Sequence, residues 1–119
     1  WLLVALGSAA GGVSRWLMAG WIDARLAAPW GTLAVNVLGG LAIGVCAALL
    51  ERDALRLLLI TGVLGGFTTF SAYSLQTFEM LQKGALAPAL GYALGSVAAC
   101  LLACWGGWTL ARAFSGAGS

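Results

Sequence analysis

Four long apolar runs alternate with short polar breaks along the chain, covering roughly residues 1–22, 31–50, 57–81 and 86–110. Asp23 and Arg25 follow the first run, in a break that ends at Pro29. Glu51, Arg52, Asp53 and Arg56 fill the second break, and Lys83 and Gly84 mark the third. Arg112 and a Gly/Ser tail, read as frayed, follow the last run. Each run reaches the roughly 20 residues that a helix needs to cross the hydrocarbon core of a bilayer. Strands of a membrane barrel alternate apolar and polar residues over about ten positions, and none of these runs does. Trp21, Trp30, Trp105 and Trp108 lie near run ends, where an interfacial aromatic belt places them. A cleaved leader has an uninterrupted apolar core. Gly11, Gly12 and Arg15 break up the first run, so it is read as a span. The pattern predicts an all-α membrane protein, one domain over residues 1–119 with four transmembrane helices.

Composition strengthens this expectation. Of the 119 residues, 61% are hydrophobic and 8% charged, whereas a soluble domain is about a quarter charged. Too few polar side chains exist to coat a water-facing surface. The net charge of +2 suggests no nucleic-acid partner. Without histidine, and with cysteines only at 46, 100 and 104, the chain has no metal-ligand spacing and no nucleophile–base pair. Cys100 and Cys104, one helical turn apart in an apolar run, read as small apolar residues. No carboxylate falls in the middle of a run, Glu79 being near the end of the third. Enzyme function is not expected.

The short breaks make neighbouring helices antiparallel and put both termini on one side. That side carries Arg52, Arg56 and Arg112; the other carries Arg25 and Lys83, with Arg15 inside the first helix and nearer that end. Lys/Arg asymmetry orients membrane helices, and here it almost vanishes. The balance suggests insertion in both orientations and an antiparallel homodimer. A fixed orientation set by the insertion machinery is the alternative.

Small residues recur every fourth position at Gly7 and Gly11, at Gly40 and Gly44, and at Gly91, Gly95 and Ala99. This spacing lets helix backbones approach closely in lipid. The third run contains Thr61, Gly62, Gly65, Gly66, Thr68 and Thr69 near its middle. Glycine costs a helix about 1 kcal/mol relative to alanine, so a break is expected here. Unwound backbone at membrane depth must be buried in protein or line a cavity, and broken helices bind ions at their exposed ends. A close helix crossing with no ion is the competing reading. Thr32, Asn36, Gly40 and Gly44 share a face of the second run, and Asn36 fits either an interhelical hydrogen bond or a water path. Tyr92, Ser96 and Cys100 stack on the fourth run as a possible hydroxyl ladder. Arg15 either snorkels to the interface or draws anions into a vestibule.

These residues carry a family resemblance. The stretch Gly31-Thr32-Leu33-Ala34-Val35-Asn36-Val37-Leu38-Gly39 resembles the GTLxVNxxG motif of the CrcB/Fluc fluoride channels. Thr61 through Ser74 resembles the long third-helix signature TGFLGGFTTFSTFS of that family, and Gly11-Gly12-Val13-Ser14-Arg15 its GGxxR element. The resemblance implies a dual-topology homodimer with two antiparallel fluoride pores. It implies that Phe70 is the first of a fluoride-coordinating aromatic pair. Tyr73 stands second, where Phe is usual, which leaves coordination at that step open. Asn36 matches a pore-lining Asn, and Thr32, Tyr92 and Ser96 match polar positions along the ion path. Arg15 matches a vestibule arginine, and Gln76 stands where some members have Glu. Gly65 and Thr68 fall where members offer backbone carbonyls to a structural sodium ion at the dimer interface. The expected function is passive, fluoride-selective export from the cytoplasm. A small dual-topology, proton-coupled multidrug transporter has the same size and span count, but needs a membrane-embedded carboxylate. An assembly factor without transport is a third reading.

Overall fold

The computed structural model describes residues 1–116, and all regular structure among them is helical. Helix α1 spans Leu2–Leu26 and α2 spans Trp30–Leu49. The third span begins with a single turn, α3, Asp53–Leu55, and continues as a π-helical stretch, Arg56–Leu64. It goes on through the short α4, Gly65–Phe67, and ends in α5, Phe70–Gln82. Helix α6 runs over Leu86–Gly116. Four helical spans, Leu2–Leu26, Trp30–Leu49, Asp53–Gln82 and Leu86–Gly116, are long and apolar enough to cross a membrane. The chain is a multi-pass membrane protein.

The polar breaks are shorter than the charge pattern implies, because charged residues continue the helices. Asp23 and Arg25 stand on the last turns of α1. The Asp23 carboxylate accepts the Gly31 N–H at 2.7 Å, satisfying a donor left free in the first turn of α2. The guanidinium of Arg25 lies 3.9 Å from the Trp21 ring centre. In the second break, helix begins at Asp53, and Arg56 donates to the Leu50 carbonyl at 3.0 Å. After α5, Gly84 takes φ 76, its N–H bonds Leu81 and the Ala85 N–H bonds Met80. That bond pair is the Schellman stop, which requires the left-handed backbone that glycine supplies. Of the Gly/Ser tail, Ser115 and Gly116 are helical and residues 117–119 lie outside the described residues.

Two helix pairs build the bundle: α2 packs chiefly on α6, and α1 on the π-helical stretch and α4. Backbone meets backbone at both. Gly44 lies against the Cys104 carbonyl, Gly40 against that of Cys100, and Gly107 against that of Leu41. Gly7 and Gly11 face the backbone of Leu58 and Val63. The third small-residue series behaves differently: a side chain at Gly91 or Gly95 would meet nothing within 4 Å. That face of α6 borders a cavity shared with Trp30, Leu33 and Met80 and packs on no helix. Val35 is the one large side chain that is fully buried among the described residues, whereas Leu6, Trp16, Leu94 and Leu101 are exposed. In lipid such exposure has no hydrophobic cost.

Candidate functional site

The site begins with two residues that leave the helix. Thr68 has φ −88 and ψ 159, and Thr69 has φ −150 and ψ 120, both extended. Thr68 is tied backward, its N–H and its Oγ1 both donating to the Leu64 carbonyl at 3.0 Å. Thr69 is tied sideways. Its N–H donates to Asn36 Oδ1 at 2.8 Å, and its carbonyl accepts from Asn36 Nδ2 at 2.9 Å. One side-chain amide thus satisfies both polar groups of one residue. The Thr69 side chain then turns forward to cap α5, accepting the Ala72 N–H at 3.1 Å, as Thr does at helix starts. Gly39 makes room by lying against the Thr68 methyl group.

A cavity of about 390 Å³ opens beside this stretch. Asn36, Thr68, Phe70, Tyr73 and Ser96 line it together, with Thr69, Cys100 and Cys104. Phe70 is 76% exposed in the single chain. Its ring centre is 5.2 Å from that of Tyr73, which is 5.4 Å from that of Tyr92, both pairs tilted. Tyr73 donates its phenol proton to the Ala93 carbonyl at 2.8 Å, and Tyr92 donates to Gln76 Oε1 at 3.0 Å. Ser96 is 6% exposed, and its Oγ is the one buried side-chain polar atom without a partner among the described residues. It also lines a second cavity of about 480 Å³, with Tyr92, Trp30 and Met80. Ser96 therefore stands where the two spaces approach each other.

Other anticipated residues lie apart from the main cavity. Thr32 is buried on α2 and lines neither cavity. Gln76 reaches the site only through Tyr92. Arg15 points from α1 to the third span, its Nε donating to the Gly66 carbonyl at 3.1 Å. The Gly65 carbonyl would ordinarily accept from the amide four residues on, but that amide belongs to Thr69 and is taken by Asn36. No described residue donates to the carbonyl of Gly65 or of Thr68. Two free carbonyl oxygens suit a hard cation, which prefers oxygen ligands, so this donor set fits a sodium ion.

Some roles escaped the sequence reading, which took Thr69 only as part of the third-run cluster. Thr69 acts as both clamp target and helix cap, and a threonine just before an apolar run is the signal that marks a cap. The Ala93 carbonyl and Cys104 give no such signal, because backbone acceptors and small apolar residues look alike in sequence.

Four apolar spans, three of which line a cavity bearing an amide, hydroxyls and aromatic rings, define a small multi-pass membrane protein. Residues 2–108 match the family described as CrcB-like protein, Camphor Resistance (CrcB). The chain belongs to that family. A relative from Thermus thermophilus is 45% identical over 122 residues, covering 98% of this chain and 96% of its own length. One from Geobacter sulfurreducens is 48% identical over 118 residues, covering 93% and 95%. One from Agrobacterium fabrum is 44% identical over 118 residues, covering 92% and 94%. All three are named fluoride-specific ion channel FluC.

Proposed function

We propose that the protein is a passive, fluoride-selective channel that lets fluoride leave the cytoplasm. The observation that carries this reading is the extended pair Thr68 and Thr69 in the third span: Asn36 pairs with Thr69, and α5 begins at the cavity beside Phe70. No described residue accepts from the N–H groups of Phe70 and Ser71 at that start. The N-terminal end of a helix favours anions. Fluoride is small and strongly hydrated, so its dehydration must be offset by donors placed close together. The second Nδ2 proton of Asn36 and the Ser96 hydroxyl are such donors. An aromatic ring has a positive edge, and Phe70 and Tyr73 present rings to the same space. Tyr92 and Ser96 continue the path as polar positions, with Arg15 and Gln76 at the vestibule, and Thr32, which lines neither cavity, stands outside it. The relatives' shared name points to the same ion.

The assembly belongs to this proposal. An antiparallel dual-topology homodimer agrees with the even Lys/Arg distribution, the exposed Phe70 and the open cavity face. The carbonyls of Gly65 and Thr68 would hold a structural sodium ion where two such breaks meet. When bound, that ion supplies positive charge to offset carbonyl dipoles. The multidrug-transporter reading is not favoured. The family match points elsewhere, and neither cavity has a carboxylate among its lining residues. The reading predicts transport and not catalysis.

Purified protein in sealed vesicles loaded with fluoride tests this function, with efflux followed by a fluoride-selective electrode. Rapid loss of fluoride with chloride retained is the expected outcome. Vesicles that keep their fluoride, or lose chloride equally fast, overturn the assignment.

A further inference from the structure

Tyr73 has a phenol where its ring neighbour Phe70 has none, and the structure shows where that phenol goes. Its hydroxyl lies on α5, and its acceptor, the Ala93 carbonyl, lies on α6, 2.8 Å away. A phenol has a single proton to give. Committed to Ala93, the Tyr73 oxygen can offer the cavity only lone pairs, which repel an anion. The ring, in contrast, stays on the cavity wall between Phe70 and Tyr92.

The bond also has a mechanical setting. Helix α5 is joined to the rest of the third span through the two extended residues Thr68 and Thr69, so no continuous helical backbone fixes its position. Two side-chain hydrogen bonds tie α5 to α6 among the described residues. Tyr73 reaches from α5 to Ala93, and Tyr92 reaches back from α6 to Gln76. Phe70 and Tyr73 are three residues apart and so share a helix face. Whatever fixes Tyr73 against α6 therefore fixes the Phe70 ring at the cavity.

We propose that Tyr73 is a positioning residue: its hydroxyl docks α5 onto α6 through the Ala93 carbonyl and is withheld from the passing ion. The ion in this statement rests on the channel function proposed above; the docking does not. Three variants test it: Tyr73→Phe, Tyr73→Leu, and p-aminophenylalanine placed at position 73, which restores a neutral donor. Fluoride efflux from vesicles is measured beside amide hydrogen exchange over residues 74–78 in nanodiscs.

For Tyr73→Phe, loss of one neutral hydrogen bond is expected to speed that exchange about two- to tenfold. The p-aminophenylalanine variant is expected to return exchange to the parent rate. Tyr73→Leu, which removes the ring edge as well, is expected to lower efflux about tenfold or more. Should Tyr73→Leu fail to fold, the other two variants still decide the docking. Efflux that collapses in Tyr73→Phe with exchange unchanged would make the hydroxyl a direct ion ligand and overturn the proposal. Exchange and efflux both unchanged in Tyr73→Phe would show that the bond docks nothing. Unchanged efflux in Tyr73→Leu would remove the ring from the account. Parent vesicles that hold their fluoride would overturn the channel reading and the withheld-hydroxyl half together, and exchange would still settle the docking half.

Discussion

Asn36 holds the peptide of Thr69 as a neighbouring strand would, giving one donor and one acceptor to a single residue. A side-chain amide can do this because its N–H and C=O lie side by side in one plane, as hydroxyls do not. The pairing explains how a polar backbone survives in an apolar span: the groups that lose their helical partners find new ones on α2. It also fixes the division of labour within Asn36, with one proton and the carbonyl holding backbone and one proton left for the cavity. Asn36→Asp keeps an acceptor for the Thr69 N–H but sets an oxygen against the Thr69 carbonyl. Interhelical hydrogen bonds in membranes average about 0.6 kcal/mol and reach about 1.7. Loss of the donor with added repulsion is expected to destabilise the fold by about 1–3 kcal/mol. Thermal unfolding in detergent should show a lowered midpoint, and fluoride efflux should fall at least about tenfold if Thr69 must stay extended for α5 to face the cavity.

At the scale of elements, the third span joins four backbone states in sequence: a first α-turn, a π-helical stretch, a short α-helical piece with an extended pair, and a final α-helix. Its partners tolerate this irregularity because glycine lets them follow it, with Gly7 and Gly11 of α1 against the π-helical stretch. The more extensive pair is α2 with α6, where a Cβ on Gly44 would strike the Cys104 carbonyl and meet the Trp108 amide. Both obstacles are backbone and cannot swing aside. Gly44→Val is expected to cost at least about 1–3 kcal/mol and to reduce the folded fraction recovered by size exclusion. Gly106→Ala is the control on the same helix pair. A side chain there would meet nothing within 4 Å, and alanine favours helix, so stability should hold or rise by up to about 1 kcal/mol.

At the scale of the whole molecule, the single chain leaves apolar surface and a cavity open. Phe70 is exposed beside an open cavity, and the α6 face at Gly91 and Gly95 borders the second cavity without touching another helix. An antiparallel partner would cover such surfaces, and the nearly even basic residues would let the two copies insert oppositely. The check is topological. In a background where Cys46, Cys100 and Cys104 are replaced by alanine, Gln82→Cys places one thiol at the end of the third span and leaves every Lys and Arg in place. If both orientations are made, an impermeant maleimide added outside intact cells should label about half of the molecules. Complete or absent labelling would mean one fixed orientation and would end the antiparallel proposal.

Much of this was readable from the sequence, for a local reason. Whether a run of twenty residues prefers lipid is a sum over those residues, so four apolar runs gave four spans before any contact was known. The family motif around Asn36 and the stretch from Thr61 to Ser74 likewise contain residues that line the main cavity. Helix ends were less legible, because Asp23, Arg25, Asp53 and Arg56 look like loop residues until a cap, a ring or a carbonyl receives them. Partnerships were not legible at all. Spacing gave Gly91 and Gly95 the same promise as Gly40 and Gly44, yet only the latter meet another helix within the chain. Nothing in the order of residues told that Asn36 would hold Thr69, or that the Tyr73 phenol would turn to Ala93. Preference for a solvent is a property of each segment alone. A hydrogen-bond partner is set by which faces the segments present to one another, and that is decided only when they pack.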